Sequence, residues 1–176
     1  MRKVEVVAHD PRWRDAFEAE AKRVADALGE NVVAVHHIGS TAIPEIYAKP
    51  VVDLLVEVRD VNEVDVRSRS MESLGYEVMG EYGIHGRRYF RKDNREGIRT
   101  HQVHAFEAGS AEVVRHLAFR DYMIAHPADA RRYSELKRRL ADEHPQSMDA
   151  YMDGKDGFIK EMDVRAARWR ASQAGL

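Results

Sequence analysis

The segment that most restricts what this chain can become is Val51-Val52-Asp53-Leu54-Leu55-Val56-Glu57-Val58. It is β-branched and apolar at both alternations, which reads as a strand buried on both faces. A sheet built on such a strand needs flanking layers to cover it. Asp53 and Glu57 are the carboxylates that this strand carries into the interior, so each needs a chemical reason to be there.

The flanking pattern supplies the rest of the sheet. Val32 to Ile38 reads as a second strand. Arg87–Lys92 and Ile98–Glu107, separated by Asp93-Asn94-Arg95-Glu96-Gly97, read as a β-hairpin. Short strands are also expected at Val4–Ala8 and Tyr76–Met79. Helical spacing of Trp13, Phe17, Ala21, Val24, Ala25 and Leu28 predicts a helix that ends at Gly29. A short helix through Pro44 to about Tyr47 and a longer one over Asn62–Leu74 are also expected. After Gly109 the pattern turns helical: one helix from a Ser110 cap to about Ala125, one opened by His126-Pro127, and one from near Ser147 to about Ala171. Gly154 and Gly157 could bend the last. The expected class is α+β, a mixed β-sheet with flanking helices and a helical C-terminal tail. A chain of 176 residues fits a single domain, with a sheet-containing core over 1–108 and the tail over 109–176.

Composition removes several function classes. There is no Cys, so disulfides, thiolate metal sites and Cys nucleophiles are out. The 28 basic and 30 acidic residues give a net charge of −2, which argues against nucleic acid as a partner. No apolar run reaches the roughly 20 residues of a membrane span. The expectation is a cytoplasmic protein, monomer or homodimer, whose partner is a small molecule or nucleotide.

The chemistry concentrates where one strand runs into Gly39-Ser40-Thr41 and the next carries Asp53. Gly39 permits close backbone approach. Ser40 or Thr41 can cap a following turn whose amides attract an anion. Asp53 is a hard oxygen donor suited to Mg²⁺. A phosphate cradle facing a carboxylate is what phosphoryl or nucleotidyl transfer requires. The plainer alternative is an ordinary turn and cap, with Asp53 paired to Lys49 or to an Arg of the hairpin.

The ordered matches His37-Ile38-Gly39-Ser40-Thr41, Lys49-Pro50-Val51-Val52-Asp53, Tyr89-Phe90-Arg91-Lys92, Arg99-Thr100-His101-Gln102-Val103-His104, Arg115 to Tyr122 and Gly154-Lys155-Asp156-Gly157-Phe158-Ile159 resemble the GrpB family. That resemblance covers nearly the whole chain. It implies a nucleotidyltransferase-like fold, in a domain also found fused to dephospho-CoA kinase. The wider superfamily pairs a Gly-Ser turn with an Asp-x-Asp or Asp-x-Glu strand. Here the position two after Asp53 is Leu55, and Glu57 lies about 13 Å along the strand, too far to share an ion.

His101 and His104 are the natural replacements for the missing carboxylate, as metal ligands or as a base. Three apart on a strand, they point to opposite faces, and the sequence does not choose between them. The same holds for His36 and His37. The expected site is therefore Asp53, His101 and His104 around Mg²⁺ or Mn²⁺, with Gly39, Ser40, Thr41, Lys49, Arg91 and Lys92 receiving a nucleoside triphosphate. Arg matches phosphate geometry bidentately, although charges on a hairpin strand can equally be a solvated edge. Lys155 and Arg120 of the tail could reach the cleft or pair locally. Two functions are carried forward: a metal-dependent nucleotidyltransferase acting on a small molecule, and a non-catalytic nucleotide or phosphometabolite binding module.

Overall fold

The computed structural model describes residues 3–175. In chain order the elements are α1 (Arg12–Leu28), β1 (Val32–Ile38), β2 (Val52–Val58), α2 (Val61–Val66), α3 (Ser68–Ser73), β3 (Glu77–Val78), β4 (Arg88–Asp93), β5 (Arg99–Glu107), α4 (Ala111–Ala125), α5 (Pro127–Glu143) and α6 (Met148–Gln173). A single 3₁₀ turn, Ser40–Ala42, follows β1.

The five strands form one mixed sheet in the order β1-β2-β5-β4-β3. β2 lies antiparallel to β1 and parallel to β5, and β5 pairs antiparallel with β4. β2 is thus interior to the sheet, as its apolar run requires. Val52, Leu54, Val56 and Val58 pack with Val24 and Leu28 of α1 and with Val64 and Met71 of the α2–α3 layer. Leu55 faces the other way, with Ile38, Phe106 and Val113. Burying Leu54, Leu55, Val56 and Val58, all fully inaccessible, contributes on the order of 2 kcal/mol each.

Several expected elements changed. Val4–Ala8 is not a strand: Val7 makes one isolated bridge to Ala48, while the Val4 N–H is taken by the Pro145 carbonyl. The segment therefore ties the tail to the β1–β2 connection instead of extending the sheet. The helix expected at Pro44–Tyr47 does not form. Glu45 has φ 65°, which interrupts right-handed helix, and Ile43 and Ile46 are drawn into the cluster beneath α4 to α6. The helix expected over Asn62–Leu74 is interrupted at Arg67 (φ −97°, ψ 11°), so that Val64 and Met71 can both reach the core. The Tyr76–Met79 strand shrinks to Glu77–Val78.

α6 runs unbroken through Gly154 and Gly157. Gly154 has a packing role, since a Cβ there would lie 2.4 Å from a Leu140 methyl. The missing side chain is what lets α6 approach α5. Those two helices make one wall of the site. None of the described helices is long and apolar enough to cross a membrane.

Candidate functional site

The parallel register of β2 and β5 sets Asp53 opposite Gln102 and Leu55 opposite His104. Partners across a ladder share a face. Asp53, Gln102, His104 and Phe106 therefore lie on the side of the tail, and His101 and Val103 lie on the side of α1. This settles the choice that alternation left open. His104 Nε2 is 3.1 Å from Asp53 Oδ1. Its other ring nitrogen, Nδ1, lies 3.4 Å from Arg87 Nη1, which can only donate. Nδ1 is then the accepting nitrogen, and Nε2 is the one that donates to Asp53. Tyr89 stacks on the His104 ring at 5.4 Å and holds its plane.

Gly39 explains the turn. Its φ is 72°, and a Cβ there would sit 2.6 Å from Asp53 Oδ2. The turn and the carboxylate touch, as only glycine allows. Thr41 is buried and structural: its hydroxyl donates to the Val51 carbonyl (3.1 Å) and accepts from His37 Nε2 (2.9 Å). Burial first, with smaller contributions from Arg120 and His9, pushes His37 down to about 4, so it is neutral at pH 7. His36 instead pairs with Glu57 at 2.6 Å, which uses that carboxylate far from Asp53.

A cavity of about 280 Å³ opens between this face and the tail, lined among others by Gly39, Ser40, Asp53, Gln102, His104 and His116. Its opposite wall comes from α5 and α6 and holds Tyr133, Lys137, Tyr151 and Lys155, with Lys49 at the side. Lys49 Nζ rests 3.7 Å from Met148 Sδ and 5.4 Å from the Tyr151 ring centre. Lys137 is 1% exposed and its ammonium has no hydrogen-bond partner. Burial, then the nearby Lys155 and Lys49 charges, pushes it down to about 6. Lys155 is 6% exposed and is pushed to about 7 by burial, then by Lys49. Burial raises Tyr133 to about 12, against a bond with the Ser40 hydroxyl that lowers it. His116 is pushed down to about 4 by burial, then by Arg115 and His104.

Of the expected site residues, Asp53, His104, Gly39, Ser40, Thr41 and Lys49 meet around this cavity. His101 does not: it lies on the α1 face, opposite Val52 and Lys92, where burial lowers it. Lys92 is spent on the same face in an ion pair with buried Glu20 at 2.5 Å. Burial pushes Glu20 up, but the bonds from Lys92 and Tyr76 overcome it and hold the carboxyl below its usual range. Arg91 shares a ladder position with Gln102, yet its guanidinium is bound to Glu77 at 3.0 Å. Arg120 lies behind the turn, donating to the His37 carbonyl and to Asp121. Lys155 does reach the cavity. His116, Lys137, Tyr133 and Tyr151 were not singled out from sequence. The one available signal was Lys137 itself, four residues from Tyr133 and three from Leu140 on an otherwise apolar stripe.

The donor set bears on metal. Among the described residues no group of three or more His or carboxylate side chains gathers to hold an ion. Leu55 stands where a second carboxylate would, and one Asp53 oxygen already accepts from His104. This does not fit a protein-held two-metal centre. Asp53 could serve as one ligand of a Mg²⁺ whose other ligands would come from substrate phosphates and water.

A mixed sheet whose glycine turn touches a strand carboxylate, capped by a helical tail, defines a nucleotidyltransferase-like fold. Terminal uridylyl transferase 4 from Trypanosoma brucei shares it, with a TM-score of 0.55 at 11% identity over 96% of this chain and 56% of that one. The family model described as "GrpB protein" matches residues 3–165, and the chain belongs to the GrpB family. The crystal structure of conserved protein GrpB from Enterococcus faecalis superposes with a TM-score of 0.90 at 44% identity, covering 94% of this chain and 99% of that one. UPF0157 protein YqkA of Bacillus subtilis is 44% identical over 169 residues, 96% of this chain, which spans 49% of that relative's length. A 74-residue stretch, 40% of this chain, is 34% identical to 18% of a Mycobacterium tuberculosis dephospho-CoA kinase.

Proposed function

We propose that the protein binds a nucleoside triphosphate in this cavity and transfers a nucleotidyl or phosphoryl group from it to a small-molecule acceptor. The observation that carries the reading is the contact between the Gly39 turn and Asp53 at the mouth of a cavity walled by lysines. The turn and the lysines would receive the phosphates. His104, fixed by Arg87 and Tyr89, would orient the Asp53 carboxylate so that its other oxygen holds a Mg²⁺ ion, and the proton of the acceptor hydroxyl would leave to water. A bound Mg²⁺ would supply charge neutralisation on the phosphates.

The test follows nucleoside triphosphate loss, with pyrophosphate release for nucleotidyl transfer and nucleoside diphosphate release for phosphoryl transfer, across a panel of nucleoside triphosphates, Mg²⁺ or Mn²⁺, and small alcohol and amine acceptors. Turnover in wild type that falls at least 100-fold in Asp53→Asn is expected. Equal turnover in both proteins ends the role given to Asp53. A second reading, binding without turnover, is favoured by Leu55 in place of a second carboxylate. Saturable nucleotide binding with no turnover anywhere in the panel would select it.

A further inference from the structure

Two buried polar groups line the cavity and have no hydrogen-bond partner: the Lys137 ammonium and the Tyr151 hydroxyl. They come from different helices, α5 and α6, and they face the same space. Lys155, from the second of those helices, places its ammonium 4.7 Å from the Tyr151 ring centre rather than on a carboxylate. Lys137 likewise lies over the Tyr133 ring at 4.4 Å. Aromatic faces stabilise a cation only modestly. Lys49 adds a third ammonium to the lining, and the carboxylate among the lining residues is Asp53. The cavity wall thus gathers three basic side chains against one acidic one, and two of the three, Lys137 and Lys155, are buried. A buried ammonium without an anionic partner is costly, and that cost is recovered when a polyanion enters.

We propose that Lys137 and Lys155 grip the terminal phosphates of a phosphoanhydride chain directly, so that this site takes polyphosphate-bearing ligands without a divalent ion. The inference rests on the cleft being a nucleotide site and narrows it: the helical tail does for the outer phosphates what a second metal would otherwise do. The size agrees. The cavity, about 280 Å³, is at the small end of the roughly 300–1,000 Å³ of ligand pockets. That suits a phosphate chain inside with the remainder of the ligand at the mouth. Carboxylate polyanions fit it less well. Tyr151 and Ser40 also line the cavity and bring hydroxyls to it, and each phosphate of a chain offers several oxygens to donors set around it.

The experiment is calorimetric titration of the full chain with inorganic triphosphate in EDTA at low salt, with orthophosphate and citrate as parallel arms. Wild type is expected to bind triphosphate at one site, and Lys137→Met and Lys155→Met are each expected to weaken it at least tenfold. Asp53→Asn should bind as well as wild type or better, because a nearby negative charge is removed. Circular dichroism and a thermal melt establish that each variant is folded, and the two lysines sit on separate helices, so loss of one variant leaves the other. No triphosphate binding by wild type in EDTA overturns the inference, as does citrate binding equally tightly, or unchanged affinity in both lysine variants. If Mg²⁺–nucleotide binds while triphosphate in EDTA does not, this inference fails and the proposed function stands. If triphosphate binds and no nucleotide does, the proposed function fails and the lysine grip stands.

Discussion

Replacing Lys137 by Met should make the ligand-free protein more stable. The reasoning is electrostatic. Burial moves the Lys137 ammonium from an ordinary 10.5 to about 6, so at pH 7 the folded state holds it mostly neutral. Removing a proton from a lysine of ordinary pKa at pH 7 costs about 5 kcal/mol, which sets the upper bound on what this residue takes from stability. The sign is fixed: the folded pKa lies below the unfolded one, so the unfolded chain binds the extra proton. Stability then rises as pH climbs from about 6 toward 10.5. Met has a similar length, needs no partner and can rest on the Tyr133 ring that the Lys137 ammonium covers at 4.4 Å. Partial relaxation in the wild type leaves an expected gain on the order of 1–3 kcal/mol, or a rise in Tm of about 2–12 °C at this chain length. Differential scanning calorimetry at pH 6, 7.5 and 9 checks both parts. The variant should melt higher, and its stability should climb less steeply with pH than that of wild type. A lower Tm in the variant at every pH would refute the argument, since it would mean the ammonium is satisfied and stabilising.

Three other outcomes are expected. Gly39→Val should cost at least about 2 kcal/mol in urea denaturation, because a branched side chain would have to adopt φ near 72° and sit against Asp53 Oδ2; native-like stability would mean that the turn can move away. Glu20→Gln should cost about 3 kcal/mol, since it weakens the partner of Lys92 on the buried α1 face; a loss below 1 kcal/mol would show the pair to be loosely held. His37 and His116 both have folded pKa values near 4 against an ordinary 6.5, so stability should be full above about pH 6.5 and fall progressively toward pH 4. Denaturation midpoints across pH 4–7 measure this, and a flat profile would contradict neutral burial of both rings.

Much of the frame is legible in the sequence. The β2 run declared itself an interior strand because no polar residue interrupts its α1 face, and α1 and β1 end where Gly29 and Gly39 take positive φ. What sequence could not give was facing. His101 and His104 were equivalent by alternation until the parallel β2–β5 register put His104 beside Asp53 and His101 against α1. Lys92 and Arg91 looked like phosphate ligands because a strand's pattern does not show that Glu20 and Glu77 wait across it. The lysine wall was the larger omission. Lys137 and Lys155 line the site from α5 and α6, helices that pack together where Gly154 meets Leu140, and no local signal near Asp53 points to them.

The claim that the Gly39–Asp53 cleft is a nucleotide site is tested most directly by hydrogen–deuterium exchange of the wild-type chain with and without saturating Mg²⁺–nucleoside triphosphate. Bound nucleotide should slow exchange in the peptides containing Gly39–Ala42 and in those of α5 and α6 that carry Lys137 and Lys155. Protection confined to other parts of the chain, or none with any nucleoside triphosphate, would contradict it.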